Sequence, residues 1–260
     1  MRLDKFLAEA GIGTRKTIRA YIQNGMVKVN GQVIVKPAVE IEEKTDIIMY
    51  LDKVVKYAGK VYYMFNKPQG CITARRDESQ KTVFDYFKNE NMNGVFHVGR
   101  LDKDTEGLLL LTNDGEFEHG LMCPNKHVDK KYYFCALGSL EDSDINKLKN
   151  GVLIGQGKIL TKPAKIKVEK IGTCQDFQQY IGNEKISEKD FKVYKQPMVS
   201  GYLTIKEGRK HQVKRMLKAV GCFVFYLKRV SIGNVFLDEA LKKGEYRFLT
   251  DSELQMLSGL

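Results

Sequence analysis

Cysteine is sparse in this chain and shows no pairing pattern. Cys71, Cys123, Cys135, Cys174 and Cys222 are odd in number, and no Cys-x-x-Cys occurs. This excludes a disulfide framework or thiolate zinc site and predicts the reduced core thiols of a cytosolic protein. Long apolar runs are also missing: none approaches about 18 residues, so no membrane-spanning helix is expected. The opening Met1-Arg2-Leu3-Asp4-Lys5 lacks a signal peptide's apolar core, which makes the expected address cytoplasmic. With no Walker loop, dinucleotide fingerprint or metal-ligand cluster, neither a cofactor nor a metal is expected.

Positive charge is what the chain has in excess. Its 260 residues carry 43 Lys and Arg against 32 Asp and Glu, a net charge of +11. That balance points to a polyanionic partner, nucleic acid first. The length suffices for a medium domain and a small one, each with its own core.

The stretch with the densest chemistry is His97-Val98-Gly99-Arg100-Leu101-Asp102-Lys103-Asp104-Thr105-Glu106-Gly107. A short polar loop leads into the apolar run Leu108 to Leu111, of a length for a buried strand or short helix, and Asp114-Gly115 closes it as a turn. Asp102, Asp104, Glu106 and Gly107 fit the first positions of a calcium loop, but Asn113 stands where the bidentate Glu is needed. On spacing alone, a solvated turn whose carboxylates cap a helix fits as well as a reactive site.

At the N-terminus Leu3, Phe6, Leu7 and Ala10 share one helical face that Gly11 terminates. Thr14 caps a second helix with Ile18, Tyr21 and Ile22 inward and Arg15, Lys16 and Arg19 outward. Val27-Lys28-Val29, Asn30-Gly31 and Gln32-Val33-Ile34 predict a tight hairpin. Arg2, Lys5, Arg15, Lys16, Arg19 and Lys28 make this small unit strongly basic, as phosphate contact requires. An evenly solvated helix face would have the same composition. Residues 48–59 read as a linker.

Further along, Val61 to Phe65 predicts a buried strand stopped by Asn66-Lys67-Pro68-Gln69-Gly70, and Val83 to Phe87 a short helix. Tyr132 opens another strand, where a core tyrosine is the ordinary occupant. Val213, Met216, Leu217 and Val220 predict an amphipathic helix stopped by Gly221, with Lys214 and Lys218 on a polar flank. Residues 173–200 are charged and amide-rich, an extended hairpin or insertion. Thr250 and Glu253 form a capping box.

Several of these segments share one resemblance. Gly99-Arg100-Leu101-Asp102 with Asp104-Thr105-Glu106-Gly107-Leu108-Leu109-Leu110 resembles the signature of the pseudouridine synthases, and its wording is similar to the RsuA type, which acts on small-subunit ribosomal RNA. Arg2-Leu3-Asp4-Lys5-Phe6-Leu7, Arg15-Lys16 and the Val29-Asn30-Gly31 hairpin resemble the S4 RNA-binding domain that precedes it. Asn66-Lys67-Pro68, Lys130-Lys131-Tyr132, Thr161-Lys162-Pro163-Ala164, Gly208 to Met216 and Gly244 to Thr250 are similar to further elements of that family. Only residues 173–200 depart from it.

The resemblance implies an α+β protein: an S4-like domain at 1–47, then at 60–260 a catalytic domain on a mainly antiparallel mixed sheet flanked by helices. It implies that Asp102 is the catalytic residue, that Tyr132 is the active-site tyrosine, and that Lys214, with Arg215 as second choice, pairs with Asp102. Arg100, Arg209, His211 and Arg215 are then expected on RNA, together with the basic residues of the S4-like unit. Isomerising uridine oxidises nothing and releases no group, so no cofactor is implied. An ionised carboxylate in a dry pocket does need a nearby cation, because burial alone would protonate it. The expected partner is ribosomal RNA, 16S or a pre-ribosomal particle, and the expected state a monomer. The alternatives are a synthase for 23S ribosomal RNA or tRNA, and a catalytically dead S4-type assembly factor. An aspartate-dependent phosphatase fits Asp102-x-Asp104 but places Thr105 too early.

Overall fold

The computed structural model describes residues 1–57, 59–123, 126–155, 158–181 and 196–259. Two helices, α1 (Leu3–Glu9) and α2 (Arg15–Gln23), open the chain. Thr14 caps α2 by accepting from the Thr17 amide at 3.2 Å. Strands β1 (Val27–Val29) and β2 (Gln32–Val33) form the expected hairpin. Asn30 and Gly31, at φ +51° and +83°, supply the left-handed pair that such a two-residue turn requires.

Residues 48–59 are not a linker throughout. They contain β3 (Ile48–Tyr50), which pairs with β1, and β4 (Lys53–Val54), which pairs with β3, giving the order β2-β1-β3-β4. The short apolar pairs there are strands because β1 lies beside them, a partnership that sequence spacing does not display. Leu3, Leu7, Ile18, Ile22, Val27 and Ile48 form the core of this unit.

The larger unit is one mixed sheet. Its strands are β5 (Tyr62–Lys67), β6 (Phe96–Val98), β7 (Glu106–Thr112), β8 (Lys130–Leu137), β11 (Lys165–Gly172), β12 (Met198–Ile205), β13 (Phe223–Ile232), β14 (Val235–Phe236) and β15 (Tyr246–Phe248), while the separate hairpin β9 (Leu153–Ile154) and β10 (Ile159–Leu160) stands outside it. The main path runs β11-β12-β8-β13-β7-β5-β15, with β14 on β13 and β6 on β7. Among the described residues only β13 and β7 run parallel.

β7 is buried along its whole length, which is why Leu108 to Leu111 reads as an unbroken apolar run. Leu109 and Leu111 pack with Phe65, Phe134, Val213 and Met216 on one side of the sheet, and Leu108 and Leu110 with Leu121 and Leu257 on the other. The covering helices are α3 (Gly115–Met122), α4 (Asp142–Asn150), α5 (Gln212–Ala219) and α6 (Asp251–Ser258). Asp114, expected in a turn, instead caps α3 by accepting from the Glu116 and Phe117 amides. Gly107, at φ +100°, lets β7 approach β13 so closely that a Cβ there would sit 2.2 Å from the Arg229 carbonyl oxygen.

Residues 173–200 join two antiparallel partners, β11 and β12. Cys174–Tyr180 forms a 3-10 turn whose Cys174 and Phe177 pack against Cys135 and Met198, and residues 182–195 of that segment lie outside the described residues.

The small domain is bonded to the large one beside β7. Asn113 donates to the carbonyls of Gly59 (3.0 Å) and Glu9 (3.4 Å) and accepts from the Val61 amide (2.9 Å). Lys5 reaches Glu116 across the seam at 2.7 Å. No helix of the described residues is long and apolar enough to cross a membrane.

Candidate active site

Asp102 sits in the loop between β6 and β7, and that loop is fixed by two side chains from the β5 side of the sheet. Lys67 ends β5 fully buried, and its ammonium donates to the carbonyls of Pro68 (3.0 Å), Asp102 (3.1 Å) and Thr105 (3.0 Å). All three of its protons are thereby used. Burial pushes the Lys67 pKa down, with the surrounding Asp104, Asp102 and Glu106 charges opposing. Thr73 clamps Leu101 from both sides, its hydroxyl donating to the carbonyl at 2.7 Å and accepting from the amide at 3.1 Å. The backbone under Asp102 is therefore preorganised without the carboxylate itself taking part.

The loop forms one wall of a cleft of about 780 Å³, within the range of small-molecule and cofactor sites. Tyr132 from β8, Leu227 from β13 and Met122 from α3 enclose it, and Arg100, Arg209 and His211 stand around it. Tyr132 is 8% exposed, while the Asp102 side chain, also in the lining, is 31% exposed. The pocket is less dry than expected in the free protein.

The opposite wall is the turn into α5. Buried Gln212 donates to Glu207 and accepts from the Arg209 amide at 2.9 Å, and Glu207 also accepts from the Lys162 amide at 2.9 Å. His211 precedes α5 in the left-handed region at φ +54°, which turns its imidazole toward the opposite wall. Its Nε2 lies 3.5 Å from Asp102 Oδ1.

Lys214 does not pair with Asp102, contrary to expectation. Its ammonium bonds Asp104 at 2.5 Å, two residues along the same loop. Burial would raise the Asp104 pKa, but the Lys214 ammonium outweighs it and holds that carboxyl below the usual range. The reason is the position of His211: one turn nearer the cleft, it takes the place beside Asp102. Arg215, the second choice, donates to the Lys210 carbonyl at 3.3 Å and does not line the cleft.

The basic residues of the small domain divide. Arg15 and Lys16 are exposed on α2. Arg2 and Arg19 are half-exposed and converge on the buried Asp4, at 2.8 and 3.2 Å. Lys28 pairs with Asp52 at 2.6 Å, and Lys5 is committed to the domain seam. A charged helix face is visible in sequence, but the carboxylate it meets is not.

The RNA pseudouridylate synthase family model matches residues 61–219, and the S4 domain model matches residues 1–47. The chain belongs to the RNA pseudouridine synthases. It is 43% identical to the uncharacterized RNA pseudouridine synthase YtzG of Bacillus subtilis, over 99% of this chain and 98% of that one. It is 36% identical to the ribosomal small subunit pseudouridine synthase A of Haemophilus influenzae, over 99% of each chain. It is also 36% identical to the ribosomal large subunit pseudouridine synthase B of Bacillus subtilis, over 100% of this chain and 96% of that one. The synthase thus isomerises uridine in RNA and carries an S4 domain at its N-terminus.

Sequence reading missed Lys67 and Thr73 as organisers of the site, because both act through hydrogen bonds to the backbone of the Asp102 loop. The available signal was a lysine closing an otherwise apolar strand. The synthase has a second buried lysine at the start of the strand that carries Tyr132. Lys130 donates to the carbonyls of Val128 (3.2 Å) and Leu121 (3.4 Å), and burial, with the Arg229 charge adding, pushes its pKa down to about 8.

An unfolded lysine titrates near 10.5, so between about 8 and 10.5 the unfolded chain binds more protons and this group favours the folded state increasingly as pH rises. Relative to Lys130→Met, wild-type stability should climb by on the order of 3 kcal/mol from pH 7 to 10.5. Thermal unfolding of both proteins across that range checks it, and a constant difference contradicts it.

Proposed function

We infer that Asp102 is the carboxylate that acts on the ribose of the target uridine, that Tyr132 holds the uracil, and that the target lies in 16S ribosomal RNA. The observation that carries this reading is the meeting of Asp102 and Tyr132, from separate strands, in one cleft whose Asp102 loop is bolted from beneath. The reaction breaks the bond between C1′ and N1, turns the uracil and joins C1′ to C5; C5 loses its proton and N1 gains one, so the product is an isomer of the substrate. A carboxylate beside the ribose serves it by attack at C1′ or by removing the C2′ proton, and both routes need the ionised form.

The uridine enters unstacked from its helix, at a cost of a few kcal/mol. Its base then packs on Tyr132, as unpaired bases do on aromatic rings. Its entry displaces water from Asp102 and completes the dry surroundings that the free cleft lacks. His211 stands next to Asp102 to steady the carboxylate, while Arg100 and Arg209 take the adjoining phosphates. Arg15 and Lys16 present the S4 domain to structured RNA and help offset the unstacking cost.

The small subunit is preferred on the Met1-Arg2-Leu3-Asp4-Lys5-Phe6 opening and on the small-subunit relative. The equally similar large-subunit relative makes 23S RNA the competing substrate. Carbodiimide-dependent reverse-transcription stops in ribosomal RNA from cells with and without the protein decide between them. A stop lost from 16S RNA alone is expected, and loss from 23S RNA alone would overturn the substrate assignment.

A further inference from the structure

Beside the Asp102 cleft lies a second hollow of about 600 Å³, bordered by His127, Asp129, Lys149, Lys162, Lys165 and Lys206. Among the described residues that border it, four ammonium groups stand against one carboxylate. They arrive from separate parts of the chain: the end of α4, the loop after β10, the start of β11 and the residue after β12. Asp129 is bonded to Lys165 at 3.1 Å. Lys162 instead donates to the ring nitrogen Nδ1 of His127 at 3.0 Å. That bond orients the ammonium and leaves its charge available.

The hollow and the cleft share a wall. Lys206 is followed directly by Glu207-Gly208-Arg209, which turns into the cleft, and Glu207 accepts from the Lys162 amide. Arg209 donates to the Leu160 carbonyl at 3.2 Å, so its guanidinium bridges from the cleft to the strand that precedes Lys162. Arg209 is also paired with the buried Glu207 at 3.5 Å, and beyond that pair cationic side chains continue from Arg209 to Lys162 and Lys165.

We propose that this hollow binds the phosphates of the RNA strand flanking the target nucleotide, so that the strand leaving the cleft runs over Arg209 onto Lys162 and Lys165. This rests on the reading that the Asp102 cleft receives the uridine. A nucleotide pulled from its helix holds its neighbouring phosphates in single-stranded geometry, and a trough of ammonium groups adjoining the cleft suits that backbone without reading bases.

The test uses the full-length protein and unmodified 16S and 23S ribosomal RNA transcripts, with affinity measured against salt concentration and pseudouridine formation followed in parallel. Lys162→Gln/Lys165→Gln should weaken binding several-fold. It should also reduce the log–log salt slope by about 1.4, or about 0.7 for each single-strand phosphate lost. Asp129→Asn, which removes the carboxylate paired with Lys165, should move affinity the other way. A double variant with wild-type slope and affinity overturns the proposal, as does an Asp129→Asn protein that binds more weakly. Should the wild-type protein modify neither transcript, the reading of the cleft fails, while the salt slope still decides whether the trough holds RNA.

Discussion

An Asp102→Asn protein is expected to fold, to bind RNA within a few-fold of wild type, and to lose isomerisation by at least about 10³-fold, near the upper end of what a single positioned acid–base group supplies. Asparagine keeps the size and shape of the side chain and removes only its charge. The loop hangs from backbone bonds to Lys67 and Thr73, and the Asp102 charge is one of several that favour the Lys67 ammonium. Asp104→Asn should cost far less, since the Asp104 side chain is 63% exposed and bonds Lys214. Single-turnover rates on a ribosomal transcript give the comparison. An Asp102→Asn rate within tenfold of wild type would remove the catalytic assignment.

Lys67→Met should damage both stability and rate. Methionine follows the unbranched lysine side chain but stops one atom short, and it leaves the carbonyls of Pro68, Asp102 and Thr105 without their donor. Each buried unpaired group costs about 1–3 kcal/mol, partly offset because no charge is buried any longer. A net loss of about 2–5 kcal/mol follows, seen as a fall in Tm of roughly 5–15 °C in calorimetry. At temperatures where the variant is still folded, the released loop should slow isomerisation by about 10²-fold, the usual cost of a misplaced reacting group. An unstable variant with an unaltered rate would mean that the loop needs no support from beneath.

Much of the fold was legible because local signals and tertiary packing agree. Asn30-Gly31, Thr14 and the Thr250–Glu253 box act within a few residues of themselves and form the turn and caps that their chemistry dictates. Ile48 and Val54 were not legible as strands, since each gains its structure from a partner distant in sequence. The site divides in the same way. Asp102 and Tyr132 were recognisable from motif wording, and the fold brings them to one cleft. The partner of Lys214 was not recognisable, because a left-handed residue before α5 puts His211 in the nearer place. Lys5 was read as an RNA contact and is a seam contact, because the approach of α3 to the small domain is invisible in a charge count.

The most direct test of the account is a structure of the Asp102→Asn protein with an RNA that the wild-type enzyme modifies. The account predicts one uridine out of its helix, its ribose within hydrogen-bond reach of residue 102 and its uracil against Tyr132. A target uridine still stacked in its helix, or bound away from this cleft, would contradict it.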